Sequence, residues 1–269
     1  ARAKTAMERG RYADAIGVLT QALKSSGLKQ EDQLGVRCTL AGAWLMGDDT
    51  TQAATVLGRP PDAVRDDLPP ALLSTLWRLH GRVAFAKGDQ SRAIALLGRA
   101  LRHPEMAHDS EAIGLAHHEL GHCYKQVGDI TIVREHIAKA ASALHAAGNR
   151  RYLALLHSLS AWVFLQGGRL DEAMTPLRQA ETIAASVQAE DVLGIVLNNQ
   201  ANVALIQHRH EIALAFSERA SGLLEQSGRS RGVALTLATL GQILVRLGKL
   251  QRAGGFVRFD LGPEIVAAA

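Results

Sequence analysis

Residues 161–180 read AWVFLQGGRLDEAMTPLRQA, and this stretch contains the pattern that determines the fold. An apolar run is followed by a Gly-Gly pair and by a second run in which Ala173, Leu177 and Ala180 share one helical face. Two apolar runs separated by a glycine turn are typical of two antiparallel helices joined tightly. The stretch therefore predicts a helical hairpin.

The glycine of this turn belongs to a series along the chain. Gly168 follows Gly128 by 40 residues, Gly128 follows Gly88 by 40 residues, and Gly248 stands 80 residues beyond Gly168. The second helix of the hairpin recurs with the same period. Its anchor residues are Ala15, Ala53, Ala93, Val133, Ala173, Ala213 and Ala253. Internal periods of this length indicate a repeat protein built from stacked helical hairpins.

A second series lies twelve residues before the anchors, in the first helix of each hairpin, and we call it the small-residue position. It is occupied by Ala3, Ala41, Gly81, Gly121, Ala161, Ala201 and Gly241. Two helix backbones approach closely only where side chains are small. The series therefore predicts close helix contacts at one level in every repeat.

These residues carry a resemblance to a known family. The patterns His117-x-x-Leu120-Gly121-x-x-Tyr124 and Ala173-x-x-x-Leu177-x-x-Ala180 resemble the tetratricopeptide repeat, as do Ala93-x-x-x-Leu97-x-x-Ala100 and Trp77. The resemblance implies an all-α fold, a right-handed α-solenoid of about six to seven antiparallel helix pairs. The period of 40 exceeds the usual 34, and the proline that ends the family's second helix is missing. A period of 40 is similar to the sensor regions of large bacterial transcriptional regulators, such as the maltose-responsive activator and its LuxR-type relatives.

The repeat register divides the chain into a solenoid of residues 1–253 and an atypical segment of residues 254–269. Gly254 and Gly255 stand where a helix is required, and Asp260 stands where a small residue is required. The segment is either a differing terminal cap or an artefactual tail, and we expect it to be poorly ordered or non-helical. Because Ala3 already occupies the small-residue position, we expect a parent protein that continues upstream.

Charge and cysteine content indicate the kind of partner and the redox environment of the protein. The net charge is +4, and the 30 basic and 26 acidic residues are mixed without a basic run, which favours solubility over nucleic-acid binding. Cys38 and Cys123 lie about two repeats apart, too far for a disulfide, which is typical of a reduced protein. With no long apolar run and no signal peptide, we expect a cytoplasmic location away from the membrane, without a cofactor, and the sequence is compatible with an oligomer.

Residues 118–122 read HELGH and satisfy H-E-x-x-H, in which two histidines on one helix face bind zinc and the glutamate acts as base. A metzincin would require glycine and histidine where Lys125 and Gly128 stand, and Leu120 and Gly121 are already required by the repeat. A third ligand would have to come from nearby side chains such as Glu135, His136 and His145. We therefore expect no metal site and no catalytic residues, and a zinc-dependent hydrolase is the alternative function.

The resemblance also implies a binding site. In tetratricopeptide repeats, the concave groove is lined at positions three before, one after and four after the small-residue position, which share one helix face. In this sequence the resulting polar and aromatic groove residues are Arg78, Arg82, His118, His122, Lys125, Ser158, Trp162, Asn198, Asn202 and Gln242. The apolar residues of the same set include Phe85, Leu165, Leu205 and Val245.

The order of these residues along the groove suggests a ligand. The first repeats contribute cations that can pair with a carboxylate, Trp162 offers an apolar wall, and Asn198 and Asn202 can hydrogen-bond a peptide backbone. We predict a non-enzymatic module that binds a peptide or protein segment, or a small anionic effector, as the sensor or scaffold part of a bacterial regulator. The other interpretations are a purely structural scaffold and a groove whose polar residues are merely solvated.

Overall fold

The computed structural model describes residues 2–24, 27–60, 68–102 and 109–249, and within these ranges the regular structure consists of α-helices alone. In chain order the described helices are α1 (Arg2–Glu8), α2 (Tyr12–Lys24), α3 (Gln30–Met46), α4 (Thr50–Leu57), α5 (Pro70–Ala86), α6 (Gln90–Arg102), α7 (Ser110–Val127), α8 (Ile130–Ala146), α9 (Arg150–Gln166), α10 (Leu170–Ser186), α11 (Glu190–Ile206), α12 (His210–Ser227) and α13 (Ser230–Arg246). Among them, no helix is long and apolar enough to cross a membrane.

The helices pair in sequence and stack as an α-solenoid, as the repeat predicts. Each odd-numbered helix is the first helix of a unit, and those from α1 to α11 pack against the even-numbered helix that follows. The first helices α3, α5, α7, α9, α11 and α13 also contact one another in order along the stack. They therefore form one continuous layer, and α13 occupies the first-helix position of a seventh unit. Ala253 and the segment 254–269 lie outside the described residues.

The turns between paired helices follow the glycine series. Gly88 and Gly168 have φ angles of 82° and 69°, in the left-handed region that glycine enters without a steric penalty. At the corresponding places in two other units, Asp48 and His208 adopt φ angles of 66° and 60°. The turn geometry is thus kept in units that lack the glycine.

The small-residue position lies at close helix contacts. Ala41 and Ala201 are completely buried, and a Cβ atom built on Gly81 would lie 2.8 Å from Leu97 Cγ. A Cβ atom on Gly121 would lie 2.8 Å from Leu159 Cδ2. Real Cβ atoms do not approach carbon atoms this closely, so a larger residue at these positions would push the helices apart.

Proline and glycine set the irregular part of the second unit. Helix α4 ends at Leu57, ahead of Gly58 with a φ angle of 73°, and α5 begins at Pro70 in its first turn. Pro176 does not act as a stop, because α10 continues through it from Leu170 to Ser186.

The solenoid also makes contacts that its repeat does not require. The turns of units 1 and 2 touch the starts of the first helices of units 5, 6 and 7 through a cluster that we call the clasp. The clasp consists of Tyr12, Asp48, Arg151, Asp191 and Arg229. The clasp joins residues up to 181 positions apart in sequence. Units 1 and 2 therefore contact units 5 to 7, and we call the superhelix closed in this sense.

We predict that Ala201→Leu lowers the free energy of unfolding by about 1 to 3 kcal/mol, because the added atoms overpack a completely buried contact. Urea unfolding of the purified chain measures the change. Ala215→Leu is the matched control, since Ala215 is exposed on α12 and should tolerate leucine. An unchanged midpoint for Ala201→Leu would show that the repeat register is wrong.

Candidate ligand-binding groove

One pair of predicted groove residues makes contact between neighbouring first helices. The ammonium of Lys125 on α7 lies 5.6 Å from the ring centroid of Trp162 on α9, a cation–π distance. The Thr239 hydroxyl on α13 donates to Asn202 Oδ1 on α11 at 3.3 Å. Phe85, Leu165 and Leu205 are partly buried at the third position of the same register, whereas Gln242 is exposed on α13. The spacing rule thus places residues of adjacent units within contact distance.

The cationic end of the groove is partly neutralised, which differs from the sequence prediction. Arg78 Nη1 lies 2.7 Å from Glu119 Oε1, and Arg82 Nε lies 3.5 Å from the same oxygen. Burial raises the pKa of Glu119, and the two guanidinium groups offset part of that rise. Arg78 and Arg82 therefore share one carboxylate and are not both free to pair with a ligand anion.

His118 is buried, which corrects the expectation that its ring lines an open groove. Its residue exposure is 6%, and the ring packs edge-on against Tyr152 at 5.5 Å and His122 at 4.8 Å between centroids. Tyr152 is in turn held 3.8 Å from the sulfur of Met46, which comes from unit 2. The closure of the superhelix thus covers this part of the groove.

The HELGH residues and their neighbours make other contacts. Glu119, the base of the motif, is committed to the two arginines. His136, a proposed third ligand, lies 2.9 Å from His117 between their Nδ1 atoms. Within the described ranges, no group of three histidine, cysteine, aspartate or glutamate side chains is placed to hold a metal ion.

A row of polar side chains remains without hydrogen-bond partners. His118, Ser158 and Asn198 occupy the first groove position, three residues before the small residue, in α7, α9 and α11. Both ring nitrogens of His118, Ser158 Oγ and Asn198 Oδ1 are buried and have no partner among the described residues. We call these three residues the polar row. Buried polar atoms are normally hydrogen-bonded, so these atoms, in register on neighbouring first helices, keep unused hydrogen-bonding capacity.

A cavity of about 850 Å³ lies between units 1 to 3 and the first helices of units 4 and 5. The groove register, applied to Ala3 and Ala41, identifies Lys4, Met7, Cys38, Gly42 and Leu45, and the first four line the cavity. They lie beside Arg78 and Arg82, the two predicted groove residues that also line it. Sequence reasoning missed the first four residues, although the same spacing would have found them.

The clasp is the second feature that sequence reasoning missed. Arg151 binds Asp191 through two hydrogen bonds of 2.8 and 2.6 Å, and Tyr12 donates its hydroxyl proton to the same carboxylate. Arg229 lies 3.3 Å from Asp191 and 3.4 Å from Asp48. Burial acts to raise the pKa of Asp191, but Arg151, Tyr12 and Arg229 outweigh it, and this pKa is lowered. No local motif marks these residues, because their partners are distant in sequence.

Comparison with solved structures identifies proteins of similar fold. No protein-family model matches the sequence, and no curated protein is similar enough to it to be matched. Among solved structures, Rap protein complexed with competence and sporulation factor superposes with a TM-score of 0.73 at 13% identity, over 96% of this chain and 72% of that one. NprR in complex with its cognate peptide NprX gives a TM-score of 0.66 at 15% identity, over 90% and 70% of the two chains.

A third similar structure is a signal transduction ATPase of the STAND class with a tetratricopeptide repeat sensor, from Pyrococcus horikoshii. It superposes with a TM-score of 0.63 at 11% identity, over 96% of this chain and 47% of that one. The chain has the tetratricopeptide repeat fold. At these sequence identities the comparisons show the fold of the chain and not its function. The function depends on the residues of this chain.

Acid should weaken the solenoid through its buried histidines. Burial lowers the pKa of His118 well below its usual value, with smaller contributions from His122 and Arg82. Between the unfolded pKa of about 6.5 and the lower folded pKa, the unfolded chain binds more protons, so stability falls as pH drops. The loss is at most about 1.4 kcal/mol per pH unit for each such histidine.

We therefore predict that His118→Leu makes the free energy of unfolding less sensitive to pH between about 6.5 and 5. Urea unfolding at several pH values measures the slope. His145→Leu, at an exposed position of α8, is the control and should keep the wild-type slope. An identical slope for His118→Leu and wild type would contradict the role assigned to His118.

Proposed function

We propose that this tetratricopeptide solenoid is a non-enzymatic binding module that holds an extended peptide or protein segment against α7, α9 and α11. The polar row is the observation that carries the proposal. It presents the Ser158 hydroxyl on α9 and the Asn198 amide oxygen on α11, both without a partner among the described residues. His118 of the same row lies beneath Tyr152 and marks the covered end of the groove. A peptide backbone supplies both N–H donors and C=O acceptors, which these groups require.

The spacing of the helices supports an extended ligand. Packed helices lie about 8 to 10 Å apart, and an extended chain advances about 3.3 Å per residue. Successive members of the polar row would therefore meet every third residue of the peptide. Asn202 and Trp162, at the second groove position, flank the row, and Asn202 Oδ1 already accepts a hydrogen bond from Thr239.

The third groove position adds an apolar strip that side chains of the ligand could cover. Leu165 and Leu205 are partly buried there, and Val245 is 44% exposed on α13. In α7 the same position holds Lys125, whose ammonium lies over Trp162. The positive charge of this ammonium favours an acidic partner. The groove thus suits a peptide with apolar side chains and an acidic residue near its α7 end.

The similar structures support the biological setting. NprR was crystallised with a cognate peptide, and Rap protein with competence and sporulation factor. The P. horikoshii protein carries a tetratricopeptide repeat sensor within a signal transduction ATPase. We therefore infer that this chain is the sensor or scaffold part of a bacterial regulator. Its partner in that role is a peptide or a segment of another protein.

Selection of binders from a random linear peptide library displayed on phage tests the proposal. We predict that enriched peptides bind the wild-type chain and that Asn198→Ala or Asn202→Ala weakens their binding by about 1 to 3 kcal/mol, with little change in unfolding midpoint. Isothermal titration calorimetry measures the affinity. Gln179→Ala on the exposed face of α10 is the control and should bind as wild type does.

Two outcomes would contradict the proposed site. In the first, both asparagine variants bind the selected peptides as tightly as wild type does. In the second, Gln179→Ala abolishes binding, which would place the ligand on the layer of second helices. Either result would show that the polar row is not part of the binding surface.

A further inference from the structure

The cavity between units 1 to 3 and the first helices of units 4 and 5 is separate from the polar row. Its lining contains Arg78 and Arg82 but neither Ser158, Asn198 nor Trp162. The contact between Met46 and Tyr152 lies at its wall, and both residues line it. The ligand of the cavity is therefore inferred independently of the peptide site.

Size and shape fit a small molecule. The volume of about 850 Å³ falls within the range of about 300 to 1,000 Å³ that is usual for small-molecule pockets. Apolar side chains form much of the wall, and they come from α1, α2, α3, α5 and α7. These apolar residues include Met7, Leu19, Met46, Leu79 and Leu115. An elongated apolar body would be covered on several sides.

The charged groups of the wall are mainly cationic. The cations are Lys4, Arg78, Arg82, Arg150 and Arg151, and the carboxylates are Glu8 and Glu111. Glu111 already accepts a hydrogen bond of 2.7 Å from the Asn149 amide. Arg78 and Arg151 already pair with Glu119 and Asp191. It is therefore the charges of Lys4, Arg82 and Arg150 that favour a ligand with negative charge.

Arg82 identifies the place for the anionic group. Its Nε faces Glu119, whereas its Nη2 donates to the Met46 sulfur at 3.7 Å, and a thioether is a weak acceptor. Both Arg82 and Met46 line the cavity. A carboxylate, sulfonate or phosphate oxygen would replace this weak contact by a charge-assisted hydrogen bond.

We propose that this cavity binds a small amphipathic organic anion, with its acidic group at Arg82 and its apolar body along α3 and α5. The clasp completes the site. Arg151 belongs both to the cavity wall and to the clasp, and it also donates to the backbone oxygen of Glu8 at 3.2 Å. Units 1 and 5 meet at this wall only while the superhelix is closed, so ligand binding stabilises the closed form.

Gly42 offers a direct test, because it lines the cavity near the middle of α3. A Cβ atom built there would have only Met7 Cε within 4 Å, at 3.8 Å, so a larger side chain can project into the cavity without striking the backbone. Gly42→Leu should fill the site and keep the helix. Gly17→Leu is the matched control, since Gly17 is an exposed helical glycine with nothing within 4 Å of its built Cβ.

The probe is 8-anilinonaphthalene-1-sulfonate, an aromatic sulfonate whose fluorescence rises in apolar sites, titrated into the full chain. We expect binding of one probe per chain, displacement by decanoate but not by decanol, and binding about tenfold weaker or lost in Gly42→Leu. Gly17→Leu should bind as wild type does. Arg82→Gln should weaken binding of the sulfonate probe about tenfold. This variant tests the site of the anionic group separately from the volume of the cavity.

Unchanged binding in Gly42→Leu would overturn the proposal, as would equal displacement by decanoate and decanol. If Gly42→Leu loses its helical circular dichroism signal, the smaller Gly42→Ser and the Arg82→Gln variant decide the question by the same titration. Peptide binding at the polar row is measured independently with the Asn198 and Asn202 variants. If one of the two proposed sites is disproved, the result for the other site still stands, because it comes from a different ligand and different variants.

Discussion

The close approach of helix backbones at one small residue per unit is the constraint on which the structure depends. Completely buried alanines such as Ala41 and Ala201 occupy this position, and at Gly81 an added Cβ would strike Leu97 of the paired second helix. Because the contact recurs every 40 residues, the units stack in one register. That register places residues at fixed offsets from the small residue on one continuous face.

The clasp turns this face into an enclosed surface. A buried ion pair by itself is weak evidence for stability, because desolvation costs roughly as much as the charges gain. Its geometry is informative, however: Asp191 is completely buried and receives Tyr12, Arg151 and Arg229 from three separate units. Asp48 adopts a left-handed backbone where other units have glycine, and it receives both the Arg229 side chain and the Arg231 backbone N–H. The clasp thus fixes where the turns of units 1 and 2 lie.

The sequence predicts the repeating part of this structure well and its closure not at all. Helix pairing, glycine turns and the small-residue contacts follow from local periodicity, and the stop at Gly58 and restart at Pro70 follow from backbone chemistry. The groove residues remain a prediction, and one pair of them, Lys125 and Trp162, makes contact between neighbouring first helices. What the register could not show is charge pairing between units: Glu119 neutralises Arg78 and Arg82, and the superhelical turn buries His118. These effects depend on the curvature of the whole stack, which no local pattern encodes.

The central claim is that the superhelix is closed, so that the first helices enclose their ligand sites. Electron paramagnetic resonance distance measurement between spin labels at Arg11 and Glu190, with Cys38 and Cys123 replaced by alanine, tests it most directly. Both labelled residues are exposed and adjoin the contact between Tyr12 and Asp191. The account predicts a short, narrow distance distribution that lengthens and broadens in Asp191→Ala. A wild-type distribution centred on the order of 50 Å, as expected for five helix-pair steps in a straight stack, would contradict it.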